Sequence, residues 1–263
     1  MSDALITTNV DNGVATLTLN RPDTRNAMTA EMGRRVEAAV DALNARDDVR
    51  VVVVTGAGRA FSSGGDLDSL AKEAGLSEAG DGLDGGANFY RLFLSVGRLR
   101  VPSIGALNGH AIGAGLCFAL ACDLRVMHEQ AKVGMTFVKI GIHPGMAASW
   151  NLPRLVGSAN AADLLFTGRL VDAREALAMG LVNRVAGEAE FAATVSELAR
   201  SIAANGPLAV RALKETLRGT FTRTIDEAVI READAQAGTF KSADAREGIS
   251  AIKEKRSPRF KGV

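Results

Sequence analysis

Cysteine and histidine are scarce in this chain, and each shortage excludes something. The two cysteines, Cys117 and Cys122, fall in one apolar stretch, so no disulfide framework exists and a reduced, cytoplasmic protein is expected. The three histidines (His110, His128, His143) stand in no ligand spacing with a cysteine, and no metal site is expected. Neither sign of charge is in excess: 31 Lys and Arg face 30 Asp and Glu, a balance without a nucleic-acid footprint. The most apolar segment, Ile112 to Ala121, is interrupted by glycines and falls well short of the roughly 20 residues a membrane span needs. The opening MSDALITTNVDNG has no basic region followed by an apolar one, so no signal peptide is expected. Neither GxGxxG nor GxxxxGK[ST] occurs, which removes the two common phosphate-loop signatures.

What is present is an ordered alternation of strand and helix patterns in 263 residues, enough to bury a large core. Val14 to Leu19 reads as a strand that Pro22 stops. From Thr29 a helix is predicted, with Met32, Val36, Val40 and Leu43 on one face. VRVVVVTGAG is a β-branched run that reads as a strand buried on both sides. VPSIGALNG reads as a strand, GAGLCFALACD as a helix opening on glycines, and LRVMHEQAKVGM as a strand pair. Helices are predicted within LVDAREALAMGLV and over Glu188 to Ala204, Pro207 to Arg218, Thr224 to Ala237 and Asp244 to Lys255. Capping pairs are read at Asp172–Glu175, Thr224–Glu227 and Asp244–Glu247. Ala74 to Gly86, rich in glycine and acid, reads as a mobile surface loop. The expected class is α/β: a body over 1–205 and a helical part over 206–263.

Two segments share one design, an apolar strand followed by glycines and a helix: VVVVTGAGRAFSSGGDL and ALNGHAIGAGLCFALACD. The first amides of a helix have no internal acceptor, and glycine lets a ligand atom approach them closely. Two such N–H groups aimed at one oxygen would stabilise an enolate or a tetrahedral oxyanion. On spacing alone, tight backbone packing is the commoner explanation of such glycines.

AFSSGGDL, NGHAIGAGL followed by ACDLRV, and LPRLVGSANAADLLFTGRLVDAREALAMGLVNRV occur in order. Over nearly its whole length, from NRPDTRNA to EKRSPRFKG, the chain resembles the enoyl-CoA hydratase/isomerase (crotonase) superfamily. The resemblance implies a crotonase-type spiral of repeated ββα units with helices at the C-terminal end. It also implies that the Gly65 and Ala114 amides form an oxyanion hole beside Gly113. By the same resemblance Arg25 and Ala27 line a coenzyme A cleft, and Ser62, Ser63, Gly64, Asp66 and Leu67 cradle the adenine and pantetheine. Lys255 and Phe260, in the basic tail, match a segment that closes over the nucleotide. An acyl-CoA is the implied ligand, with coenzyme A as part of the substrate and no permanently bound cofactor. The family assembles as homotrimers or dimers of trimers.

The family's proton carriers are missing. The two hydratase glutamate positions hold Cys117 and Phe137, and the position of the aspartate that some isomerases and dehalogenases use holds Gly145. Candidates for moving a proton are His143, in the same loop as Gly145, and Cys117, whose place near a helix start lowers a thiol pKa. Asp68, Glu73, Glu78, Asp81, Asp84 and Tyr90 lie on or beside the loop that flanks the acyl pocket in the family. Phe137 reads as pocket floor, and Trp150 and Met146 as acyl pocket or core. Three readings follow: a hydratase or isomerase with a relocated acid/base, a non-catalytic acyl-CoA-binding protein, and a thioester hydrolase.

Overall fold

The computed structural model describes residues 4–78 and 86–263. An antiparallel hairpin, β1 (Ile6–Asp11) and β2 (Val14–Leu19), opens the chain. Helix α1 (Ala30–Asn44) crosses over to β3 (Val51–Gly56), parallel to β2. The next strand, β4 (Ala60–Ser62), leaves this sheet and starts a second one, and α2 (Leu67–Glu73) and α3 (Ala87–Leu94) follow. The division then repeats. β5 (Ser103–Leu107) joins β3, β6 (His110–Ile112) joins β4, and α4 (Ala114–Leu120) follows. Next, β7 (Leu124–His128) joins β5 and β8 (Lys132–Gly134) joins β6.

After α5 (Ala148–Thr167), β9 (Leu170–Asp172) closes the small sheet antiparallel to β8. Helix α6 (Ala173–Ala178) leads to β10 (Arg184–Ala186), beside β7. Four helices complete the fold: α7 (Phe191–Ala203), α8 (Pro207–Arg218), α9 (Ile225–Phe240) and α10 (Ala243–Glu254). The larger sheet has the order β1-β2-β3-β5-β7-β10 and the smaller β4-β6-β8-β9. Each ββα unit therefore gives one strand to each sheet, and the chain advances as a spiral.

The valine run explains why the larger sheet is covered on both faces. Side chains alternate along a strand. Val52 and Val54 belong to the main core with Met32, Val36 and Val40 of α1, while Val51 and Val53 face Val195, Leu198 and Ala199 of α7. Thr29 caps α1 by accepting from the Met32 N–H, and Met32, Val36, Val40 and Leu43 are buried.

Several expectations are corrected. The strands read as a pair in LRVMHEQAKVGM are β7 and β8, which lie in different sheets. The helix read in LVDAREALAMGLV is present as α6, with Asp172 accepting from the Glu175 N–H, and the residues before it pair as β9. Helix α5 has no clear sequence periodicity: Pro153 lies inside it, and Gly157 (φ 78°, ψ 164°) breaks it into two segments. Thr224 and Glu227 form the expected capping box, but α10 is capped by Ser242, which accepts from the Ala245 N–H. Asp244 is instead buried, its carboxylate accepting from the N–H groups of Lys261 and Gly262 in the tail. Of the glycine-rich stretch over 74–86, residues 79–85 lie outside the described residues. No helix among the described residues is long and apolar enough to cross a membrane.

Asn26 ties the first loop to the second ββα unit. It is wholly buried, and its side-chain nitrogen donates to the carbonyls of Ala57 and Ala60, each at 2.9 Å. Its side-chain oxygen accepts from the Arg21 N–H at 2.9 Å. An Asn26→Ala variant leaves these backbone groups without their partner, at a cost of about 2–4 kcal/mol. Urea unfolding of the variant beside the wild type measures this directly.

Candidate functional site

The two glycine turns meet, and each brings one unbonded amide. In the first, the Met28 N–H donates to the Gly64 carbonyl (2.8 Å) and the Asp66 N–H to the Met28 carbonyl (3.1 Å), a parallel bridge between Met28 and Gly65. That pattern leaves the Gly65 N–H directed away from Met28, and it has no acceptor among the described residues. In the second, the Gly113 N–H donates to the Gly134 carbonyl (2.8 Å), and Gly113 at φ 54° turns the chain into α4. Ala114 is the first helical residue, so its N–H has no acceptor one turn earlier, nor any elsewhere among the described residues.

Backbone contact brings the turns together. A Cβ added to Gly115 would lie 2.7 Å from the Cβ and carbonyl oxygen of Ser62. One added to Gly64 would lie 2.6 Å from the Ile112 oxygen and 3.5 Å from the Ala114 nitrogen. Substitution at Gly64 is doubly opposed, because its φ is 97°.

The surroundings are mostly apolar. A Cβ on Gly113 would lie 3.9 Å from Cζ of Phe137 and 3.6 Å from Oγ1 of Thr136, while Leu70 of α2 lies against Gly65. Cys117, one turn along α4 from Ala114, is fully buried, with its sulfur 3.6 Å from the Gly145 carbonyl and 3.7 Å from the Met135 sulfur. Tyr90 of α3 closes the other side of Gly145. A Cβ there would lie 2.5 Å from the phenol oxygen and 2.6 Å from Cζ. The space a side chain at 145 would occupy is thus filled by a tyrosine ring from another helix.

Other residues named from the sequence occupy varied places. Ser62 is buried, and its hydroxyl donates to the Asn26 carbonyl (2.8 Å) and accepts from the Gly64 N–H (3.2 Å), which makes it a brace for the turn. Ser63 is exposed, and its N–H donates to the Arg25 carbonyl at 2.9 Å. Arg25 itself is exposed in left-handed conformation (φ 56°), while Ala27 is buried and its carbonyl accepts from Arg21 (2.8 Å). The Asp66 carboxylate caps α2 through the Ser69 N–H and pairs with Arg21 at 3.3 Å, and the neighbouring Leu67 is exposed.

His143 is not brought to the two amides. It is exposed, a ring nitrogen lies 2.7 Å from the Pro144 carbonyl, and it lines a depression with Val138, Ile142, Leu165 and Phe166. The tail lies against its own chain: the Phe260 ring approaches Gly206 and Gly248, its carbonyl accepts from Arg50 (2.6 Å), and Lys255 ends α10. Trp150 is exposed beneath the Arg154 guanidinium (3.9 Å), and Met146 is buried in the core. No group of three His, Cys, Asp or Glu side chains among the described residues could hold a metal.

The family model described as Enoyl-CoA hydratase/isomerase matches residues 9–263. The chain belongs to that family. A Thermus thermophilus protein provisionally named an enoyl-CoA hydratase is 42% identical, over 94% of this chain and 97% of its own. The 1,2-epoxyphenylacetyl-CoA isomerase of Escherichia coli is 34% identical over 98% of each chain. The crystal structure of an enoyl-CoA hydratase from Bacillus anthracis superposes with a TM-score of 0.90 at 33% identity, covering 99% of this chain and all of the other. The two sheets and C-terminal helices are accordingly the crotonase fold.

In this hydratase/isomerase family member, sequence reading missed Asn26, Thr136 and the specific placement of Tyr90. Only Tyr90 carried a signal, as a lone tyrosine beside the flanking loop. The expectation for Cys117 is corrected: burial pushes its thiol up to about 12, against the lowering expected near a helix start, so it is no thiolate base at neutral pH. A thiol in the unfolded chain ionises near ~8.5. Between that pH and about 12 the native state keeps a proton that the unfolded chain has released, so stability falls as pH rises. Urea unfolding of wild type and Cys117→Ala should show the variant's deficit shrinking by about 2 kcal/mol between pH ~8.5 and ~10.

Proposed function

We propose that the chain binds an acyl-CoA thioester and stabilises its enolate between the N–H groups of Gly65 and Ala114. The observation that carries this reading is the pair of unbonded amides on two turns packed backbone to backbone. A carbonyl oxygen held there gains two donors that need no reorganisation as negative charge develops. Relatives named as hydratases and isomerases of CoA thioesters support the ligand class. The reaction favoured is double-bond isomerisation or hydration with a relocated proton carrier. The adenine and pantetheine would lie along Arg25 to Ala27 and Ser62 to Leu67.

A second reading, an acyl-CoA-binding protein without turnover, is favoured by one set of observations. Cys117 is sealed and neutral, position 137 is a phenylalanine, and Gly145 is covered by Tyr90. In either reading 206–263 serves assembly, as a homotrimer or dimer of trimers, and covers the nucleotide through Lys255 and Phe260. Exposed apolar residues on these helices and the turn between α8 and α9 (Leu217, Phe221, Ile225, Ile230, Phe240) support that role.

Ala114→Pro closes the oxyanion position. Proline is tolerated at a helix first position, removes the N–H in question and puts its ring Cδ in the hydrogen's place. With crotonyl-CoA and 3-enoyl-CoA as substrates, turnover should fall about 10²–10³-fold while the circular dichroism spectrum is retained. Wild type that binds CoA esters by calorimetry but turns none over would select the binding-protein reading. Absence of any binding would refute both.

A further inference from the structure

A cavity of about 470 Å³ lies where α7 and α8 meet the larger sheet, away from the two glycine turns. It opens at the first residues of β5 and β7, whereas the Gly65 and Ala114 turns follow β4 and β6 of the other sheet. Its walls are apolar: Pro102 and Leu124 from the sheet edge, Ile202 from α7, and Val210, Leu213 and Leu217 along one face of α8. Such a size and lining suit a small ligand.

Charge in the cavity is uneven. Lys214 and Arg218, one turn apart on α8, and Asp123 all line it. The Lys214 side chain is 6% exposed, and its ammonium donates to the Val101 carbonyl (2.8 Å) and to Oδ2 of Asp123 (2.7 Å). An ammonium has three N–H groups, so one is unclaimed among the described residues. The same Oδ2 already accepts from the Ser103 N–H (2.7 Å) and hydroxyl (2.8 Å), which spreads one negative charge over three donors. Arg218 donates only to the carbonyls of Gly97 and Leu99, with no carboxylate partner among the described residues. Two cations thus share one carboxylate in apolar surroundings. Burial holds the Lys214 ammonium below the ordinary lysine range even with Asp123 beside it, so a further anion there would be stabilising.

We propose that this cavity is a second ligand site, separate from the amide pair, that takes an amphipathic monocarboxylate. Its carboxylate meets Lys214 and Arg218, and its hydrocarbon part lies against Leu213 and Leu217 of α8. This site does not depend on the acyl-CoA reading. Leu217, on the rim, also belongs to the surface assigned to assembly, so the full chain in its assembled form is the one to test.

Calorimetry with sodium octanoate, 1-octanol and sodium acetate separates the charged and apolar contributions. Octanoate should bind at least about tenfold more tightly than octanol, which lacks the charge, and than acetate, which lacks the tail. Leu213→Glu puts a like charge into the wall and Arg218→Gln removes one cation. Both positions are exposed, so the circular dichroism spectrum should be retained while octanoate affinity falls about tenfold in each. Saturating butyryl-CoA should leave octanoate affinity in wild type within about twofold. Octanol binding as tightly as octanoate, binding that survives both substitutions, displacement by butyryl-CoA, or no octanoate binding at all would each overturn the inference.

Discussion

Contact between bare backbones is the constraint on which the site depends. Successive ββα units of the spiral must approach closely enough for Gly64 to meet the Ile112 carbonyl and for Gly115 to meet Ser62, distances that leave no room for a Cβ. Only then do the amides of Gly65 and Ala114 fall into one small space. A hydrogen-bonded frame surrounds them: Asn26 holds the first loop, Ser62 braces the turn, and Met28 takes both bridge bonds. The two N–H groups have no acceptor among the described residues. Being backbone, they persist as long as the units pack.

Side chains beside this backbone frame can therefore vary without disturbing the fold. Cys117 and Phe137 are apolar fillings, and Gly145 has ceded its space to Tyr90. Pocket chemistry and scaffold are separable here because they are written in different atoms.

The architecture and the two glycine turns were legible in the sequence because both leave periodic or glycine-marked traces. The valine run, the α1 face and the Thr224 capping box are local patterns, and each gives one structural outcome. The sheet partition of β7 and β8 was not legible, since adjacent strands in sequence say nothing about which sheet each joins. Nor was the burial of Asp244, whose partners are backbone amides of the tail rather than the glutamate three residues on. Cys117 shows a competition the sequence cannot weigh: a helix start favours the thiolate, full burial opposes it, and burial wins. Tyr90 and Gly145 lie far apart in the chain, so their contact has no sequence pattern at all.

The ring that covers Gly145 ends a string of aromatics. Phe61 of β4 lies 6.0 Å from Phe118 of α4, Phe118 is 5.7 Å from Phe93, Phe93 is 5.2 Å from Phe89, and Phe89 is 6.3 Å from Tyr90. Rings in close-packed contact transmit displacement to one another. Helix α4, which presents the Ala114 amide, and helix α3, which presents the phenol, are therefore registered against each other through Phe118 and Phe93. Since the chain has a single tyrosine, any tyrosine-specific spectroscopic change in this protein reports from the far end of that string.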